Sequence, residues 1–328
     1  MKFEKTLLIF RFSAFGDVAM TVPVLREFLA QHPEVRIIYV SRKKFQDLLE
    51  DLPNCQFYAA DLDGKHKGIL GLFRLAKALK QFHADGIADL HNVLRTKILR
   101  FFLFNHKSAV LDKGRNERKA LIRSENKIRK PIKPMVERYA DVFRSLGFEL
   151  NLSHQLRQNT TQKEHAVGIA PFAMYEGKMF PLDKMKEVVC SLAENGLKVY
   201  LFGGKNEQAL LTSWEEMHEN IVSVAGKFDL KTELNLIRRL KLMVSMDSAN
   251  MHLASLVGTR TISIWGNTHP FTGFLGYGQS MDDVVQDERL LIRPTSVFGK
   301  EPKNGEKIDY FEQITSEMLL QKIYSAID

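Results

Sequence analysis

The chain reads as an α/β protein of two Rossmann-like units, and three observations predict it. Apolar runs of strand length recur along the sequence with stretches of helical periodicity between them, the alternation of parallel β-α-β units. A polar segment at residues 151–165, containing Asn159-Thr160-Thr161-Gln162-Lys163-Glu164, interrupts that alternation near the middle. The length of 328 residues also exceeds what one core usually serves, so two cores are expected. The expected division is 1–158, 159–310 and a closing helix within 311–328.

Taken in order, residues 5–12 are apolar enough for a strand buried on both faces, and they lead through Ser13-Ala14-Phe15-Gly16-Asp17 into an amphipathic helix at 18–31. Strands are expected at 35–40 and 86–90, and helices at 45–52, 70–82, 93–104 and 135–146, the last stopped by Gly147. After the linker, strands are expected at 167–170, 198–202, 221–224, 242–245 and 261–265. Helical patterns at 183–194, 205–217, 229–240 and 250–256 alternate with them, and 293–307 reads as a polar loop.

Composition narrows the class. Apolar residues are 45% of the chain and charged residues 26%, values of an ordinary folded protein rather than a disordered or fibrous one. Two distant cysteines, Cys55 and Cys190, exclude a disulfide framework and a cysteine-based metal centre, and are expected as buried free thiols in a reducing compartment. The apolar run at 7–10 is broken by Arg11, so it is a strand and not a signal peptide. No run approaches the roughly 20 apolar residues that cross a bilayer. A cytoplasmic protein touching membranes only peripherally is expected.

The net charge of +8 is concentrated. Nine lysines and arginines fall between Lys113 and Lys133, in a stretch expected as a loop or lid. Such a patch attracts phosphates of nucleic acid, anionic lipid or an acidic sugar, or is simply a solvated face. No row of stacking aromatics or nucleic-acid recognition motif accompanies it, which argues against a nucleic-acid-binding protein.

Ligands of open parallel sheets bind beyond the carboxyl ends of the strands, so the loops that follow strands carry the functional expectation. In the first, Asp17 sits at a helix start, as a cap or as a base, and the remaining glycines of a dinucleotide fingerprint are missing. In the second, Lys178 within Glu176-Gly177-Lys178-Met179-Phe180-Pro181 is either an exposed lysine or a point charge for a diphosphate. In the third, Gly203 and Gly204 allow close approach to a ligand, and Glu207 either accepts from ribose hydroxyls or favours the positive end of a helix. The fourth, Asp247-Ser248-Ala249-Asn250-Met251-His252, passes from strand to helix and would aim the first helical amides at an anion. His252 there is catalytic or packed in the core.

At these residues the chain resembles the heptosyltransferases of glycosyltransferase family nine over nearly its whole length. The carrying blocks are Arg11-Phe12-Ser13-Ala14-Phe15-Gly16-Asp17, Asp89-Leu90-His91-Asn92, Lys178 with Phe180-Pro181, Gly203-Gly204 through Glu207, and Asp247-Ser248 through His252-Leu253-Ala254. The resemblance implies two Rossmann-like domains facing across a cleft, the GT-B arrangement, and transfer with inversion, without metal or other cofactor. It implies an ADP-heptose donor and an acidic lipid-linked saccharide of the lipopolysaccharide inner core as acceptor. By position, Asp17 becomes the general base and Lys178 the phosphate-binding lysine. Gly203, Gly204, Glu207, Phe228, Asp247, Ser248, Ala249, Asn250, Met251 and His252 line the donor, with Phe228 against the base. Ser13, Gly16, Asp89, His91, Asn92, Arg118 and Lys119 meet the acceptor. The chain departs from the family pattern at Ala170-Pro171-Phe172, where His-Pro-Gly is usual, at Ala249 in place of glycine and at Phe180 in place of tryptophan. A relative using another nucleotide sugar for a surface polysaccharide, and a sugar-nucleotide epimerase or hydrolase, are the alternatives.

Overall fold

The computed structural model describes residues 3–300 and 308–327; the segment 301–307 of the polar loop lies outside the described residues. The chain divides into two compact units, Met1–Lys113 with Met135–Ser153, and Gly114–Pro134 with His154–Asp328.

The first unit is a five-stranded sheet of β1 (Lys5–Phe10), β2 (Val35–Ser41), β3 (Cys55–Ala59), β4 (Gly86–Asp89) and β5 (Lys107–Val110). Every pairing is parallel and the order is β3-β2-β1-β4-β5. The run Leu7-Leu8-Ile9-Phe10 is wholly buried because helices cover both faces of the sheet. Leu8, Phe10, Ile38 and Val40 face Leu72, Leu75, Ala76 and Leu79 of α2 (Gly68–Leu79) and Leu99 of α3 (Leu94–Phe102). The α4 helix (Arg115–Ile122) belongs to the other unit, and α5 (Met135–Leu146) returns to pack against α1 (Phe15–Gln31), with Phe28 and Phe143 rings 4.4 Å apart.

The second unit carries a six-stranded parallel sheet in the order β11-β10-β9-β6-β7-β8. Its strands are β6 (Ala166–Ala170), β7 (Lys198–Leu201), β8 (Ile221–Ser223), β9 (Leu242–Met246), β10 (Thr261–Ile264) and β11 (Val284–Val285). The helices α6 (Leu182–Glu194), α7 (Gln208–Glu215), α8 (Leu230–Arg239) and α9 (Ala249–Val257) connect them, and α10 (Ser316–Ile327) closes over the core through Leu319 and Ile323. Both sheets run outward in two directions from their first strand. The direction reverses between β1 and β4 in the first sheet and between β6 and β9 in the second, which puts a ligand crevice in each unit beyond the carboxyl ends of its own pair of strands.

Three strands were not expected from the sequence. β3 and β5 are edge strands with exposed positions, and β11 has two residues, so none shows a buried apolar run. The basic stretch is corrected twice. It contains a helix, α4, and it packs with the second unit rather than extending the first: Lys127 Nζ donates to the Pro294 carbonyl at 2.7 Å and the Ile132 amide to the Phe271 carbonyl at 3.1 Å. A short 3-10 helix at Lys43–Leu49 replaces the helix expected at 45–52. Cys55 and Cys190 are free but only half-buried.

Candidate active site

In the first unit the loops leaving β1 and β4 meet at the reversal point. Arg11, buried just past β1, donates to the Leu90 carbonyl at 2.7 Å and pairs with Asp17 at 2.6 Å, Nη2 to Oδ2; its guanidinium also lies over the Tyr139 ring. Asp17 is in the first turn of α1, where its Oδ2 accepts the Ala14 amide at 3.2 Å. The cap reading therefore holds, but Asp17 does more than cap. Both contacts use Oδ2, and no described residue donates to Oδ1. The side chain remains 27% exposed. Gly16 is the second residue of α1.

Asp89, at the end of β4, is wholly buried and fully engaged. Oδ1 accepts the amides of His91 and Asn92 at 3.0 and 2.8 Å, and Oδ2 accepts Arg100 Nε at 3.0 Å. It shapes the loop and does not offer itself to a ligand. His91 Nδ1 accepts the Phe12 amide at 3.4 Å, so the proton of the neutral ring sits on Nε2, 3.4 Å from Ser13 Oγ. Burial, then the Arg11 and Lys113 charges, press the His91 pKa down to about 3, which keeps the ring neutral. Asn92 takes a left-handed backbone, φ 48°, and ties the loop to β5 by donating to the Leu111 carbonyl at 2.8 Å. Ser13, Asp17, His91 and Asn92 thus gather around one crevice.

In the second unit the loops leaving β6 and β9 bring a lysine and an aspartate together. Lys178, on a short 3-10 turn after β6, places Nζ 2.8 Å from Asp247 Oδ2 at the end of β9, and Thr268 Oγ1 donates to the same oxygen at 2.8 Å. Among the described residues Asp247 is the one acceptor of the ammonium, using one of its three N–H groups. The turn is held from below: the Gly177 carbonyl accepts the Asn267 amide at 2.7 Å, and Asn267 Nδ2 donates to the Gly299 carbonyl at 2.8 Å. Gly299 has φ 96°, and a Cβ there would lie 2.2 Å from Lys178 Cδ, so glycine is required beside the lysine stem.

Next to that pair, α9 starts at Ser248 with no side-chain cap, because Ser248 Oγ lies 3.2 Å from Ser245 Oγ instead. By contrast Asp229 caps α8 by accepting the Thr232 amide at 2.8 Å. The first amides of α9 therefore have no side-chain acceptor and carry the positive end of the helix, a place for a phosphate. Met251 and His252 are buried in that helix, as core residues. Gly203 and Gly204 leave β7 at the same sheet edge, with the Glu207 carboxylate over Gly204. Phe228 follows β8, half-exposed, at a groove of about 510 Å³ lined by Tyr200, Val222, Val224 and the α8 residues Thr232 and Asn235. Among the described residues no group of three or more His, Cys, Asp or Glu side chains is placed to hold a metal ion.

The model of glycosyltransferase family 9 (heptosyltransferase) matches residues 72–289. The chain belongs to this family. It is 25% identical to lipooligosaccharide heptosyltransferase 2 of Haemophilus influenzae, over 97% of this chain and 98% of that protein. It is 23% identical to the lipopolysaccharide core heptosyltransferase OpsX of the same species, over 81% and 80%. Among solved structures, E. coli ADP-heptose lps heptosyltransferase II matches with a TM-score of 0.71 at 20% identity, covering 98% of each chain. A family 9 glycosyltransferase of Veillonella parvula gives 0.72 at 19%, covering 100% of this chain and 98% of that one. The two structures share the fold, and membership of the family makes the protein a glycosyltransferase.

Within this family 9 enzyme the two remaining expected residues, Arg118 and Lys119, lie on α4 of the second unit. Arg118 is buried with its guanidinium over the Phe274 and Phe298 rings, 4.9 and 5.6 Å from their centroids, while Lys119 is exposed. The sequence marks Asn267 and Thr268 as a small polar turn after β10, whereas Gly299 and Arg293 were not anticipated. Arg293 is wholly buried and donates to the carbonyls of Trp265, Gly266 and Thr268 at 2.9, 2.5 and 2.8 Å, which braces the loop that carries Thr268. Burial lowers its pKa to about 10, still high enough to keep it charged at neutral pH.

Proposed function

We propose that this glycosyltransferase transfers a heptose from an ADP-sugar to an acidic, lipid-linked saccharide of the lipopolysaccharide core, by inversion and without a metal ion. The observation that carries the reading is the pairing of Lys178, whose ammonium meets Asp247 alone among the described residues, with the uncapped start of α9, beside Asp247 and Thr268. Together they supply a cation and convergent amides for the two charges of a diphosphate leaving group. The relatives named for heptose transfer support the sugar.

In the step we propose, the acceptor oxygen attacks the anomeric carbon while the bond from that carbon to the diphosphate oxygen breaks on the opposite face. The hydroxyl proton passes to Asp17 Oδ1, and Arg11 holds the carboxylate in place through Oδ2. The electron pair of the broken bond leaves with ADP, and Lys178 and the α9 amides stabilise the developing charge, so no divalent cation is required. Glu207 receives the ribose hydroxyls and Phe228 the adenine. Ser13, His91 and Asn92 meet the acceptor, with Asp89 setting their positions. Arg118, held between two phenylalanines, shapes α4, and Lys119 is the exposed cation there for acidic acceptor groups. No described helix is long and apolar enough to cross a membrane, and the lipid-linked acceptor is reached by peripheral contact.

The test is ADP release from ADP-heptose with and without a Kdo–lipid A acceptor, in buffer containing EDTA. Release that needs the acceptor and persists in EDTA supports the reading. Release without acceptor would indicate a hydrolase, and thermal stabilisation by another nucleotide sugar but not by ADP-heptose would change the donor.

A further inference from the structure

Sixteen large apolar side chains are exposed among the described residues, and six of them, Ile69, Leu70, Phe73, Leu94, Phe101 and Phe104, fall on α2, on α3 or just past its end. These helices are neighbours on one face of the first sheet. They pack through Phe73 and Phe102, whose rings meet edge to face at 5.4 Å, while their inward sides, Leu72, Leu75, Leu79 and Leu99, complete the core. The outward residues have no core to fill. Leu70, Phe101 and Phe104 are 74, 73 and 78% exposed. Such a concentration on a pair of adjacent helices differs from the singly scattered apolar residues of an ordinary surface.

The polar residues on the same helices have one sign. Neither α2 nor α3 contains an aspartate or glutamate. Lys65, Lys67, Arg74, Lys77, Arg95 and Lys97 are all exposed on these helices or immediately before α2. A second copy of the chain seated here by two-fold symmetry would set cations against cations. The turn before α2 also exposes Asp61 and Asp63, the latter paired with Arg42, but the two helices themselves carry only cations. An apolar surface with that excess of positive charge fits a bilayer whose headgroups are anionic, with aromatic and aliphatic side chains entering the acyl boundary and the lysines and arginines on the phosphates.

We propose that the outward face of α2 and α3 is the surface by which the enzyme docks onto an anionic lipid membrane. This gives a location to the peripheral contact proposed above. The α3 helix begins two residues after Asn92, so the docked face adjoins the crevice that holds Ser13, Asp17 and His91, and a saccharide rooted in the same leaflet is presented to them.

Co-sedimentation with vesicles tests it, using phosphatidylcholine alone and phosphatidylcholine mixed with phosphatidylglycerol. The wild-type chain is expected to sediment with the anionic vesicles and not with the neutral ones. The variant Leu70→Ser/Phe101→Ser/Phe104→Ser, and separately Arg74→Gln/Lys77→Gln/Arg95→Gln/Lys97→Gln, should each lower that binding about tenfold or more, while melting temperature and ADP affinity stay unchanged. Failure of the wild type to bind anionic vesicles overturns the proposal, as does binding by both variants at the wild-type level. A wild-type dimer that the serine variant dissociates would assign the face to self-association instead. The vesicles contain neither donor nor saccharide, so a negative result leaves the transfer chemistry standing, and inactivity on a soluble acceptor leaves this surface standing.

Discussion

Lys178 Nζ and Thr268 Oγ1 converge on a single oxygen, Asp247 Oδ2, each from 2.8 Å. The carboxylate is thus the point that fixes the ammonium one residue before the Ser248 cap position of α9. Because the pair is largely buried, removing the carboxylate strands a charge: Asp247→Ala is expected to cost about 3–5 kcal/mol in urea unfolding. Lys178→Met strands the Asp247 carboxylate in turn, so a comparable loss of about 3–5 kcal/mol is expected, and with it roughly 10- to 100-fold weaker ADP binding by calorimetry. Unchanged ADP affinity in Lys178→Met would remove the lysine from the diphosphate site.

Asp89 provides a contrasting case. It is buried, accepts two amides and pairs with Arg100, so its effect is on the loop carrying His91 and Asn92. Asp89→Ala should lower unfolding free energy by about 3–5 kcal/mol. Asp89→Asn, which keeps an acceptor for the loop amides, should recover part of that while leaving ADP affinity intact. A variant of full stability that has lost only acceptor affinity would show that Asp89 touches the acceptor after all.

Acid should weaken the fold through two histidines and strengthen it through one glutamate. Burial first, then neighbouring cations, hold His91 and His269 neutral with pKa values near 3, whereas an unfolded histidine titrates at about 6.5. Their folded values are lowered, so between these limits the unfolded chain binds more protons. Their stabilising effect is complete above pH 6.5 and is lost as the pH falls. Glu233 has the opposite sign, because burial and then Asp229 raise it to about 7, and its contribution fades as the pH rises from about 4.5 to 7. At pH 5.5 these three groups together should take up about one proton on unfolding. Glu233→Gln should raise the uptake to about two and His269→Asn should reduce it to about zero. Unfolding free energies measured between pH 5 and 6 give the proton count directly, and a slope unaffected by either substitution contradicts the assignment.

The sequence revealed whatever depended on neighbouring residues. Doubly buried strands such as β1, β6 and β9 show as apolar runs because both their faces are covered. The loops after them carry Asp17, Lys178 and Asp247 in recognisable blocks. Edge strands β3 and β5 were illegible since half of their side chains face water. In α4 the dense charge hid a short amphipathic helix that buries Arg118 and Leu121. The supports of the site lie far away in sequence: Gly299 beside Lys178, and Arg293 beneath the 265–268 loop, within a stretch that reads as polar loop. No local pattern signals such contacts, because the chain brings them together only on folding.

The account depends most on Asp17 acting as a base through Oδ1 rather than only capping α1. Single-turnover transfer by Asp17→Asn decides this, measured together with ADP-heptose affinity, since asparagine keeps an oxygen for the Ala14 amide but cannot take up the proton. The expected result is donor binding within about twofold of the native chain and a transfer rate lower by roughly 10²–10⁴. Transfer at the native rate with native donor affinity would contradict the proposed chemistry.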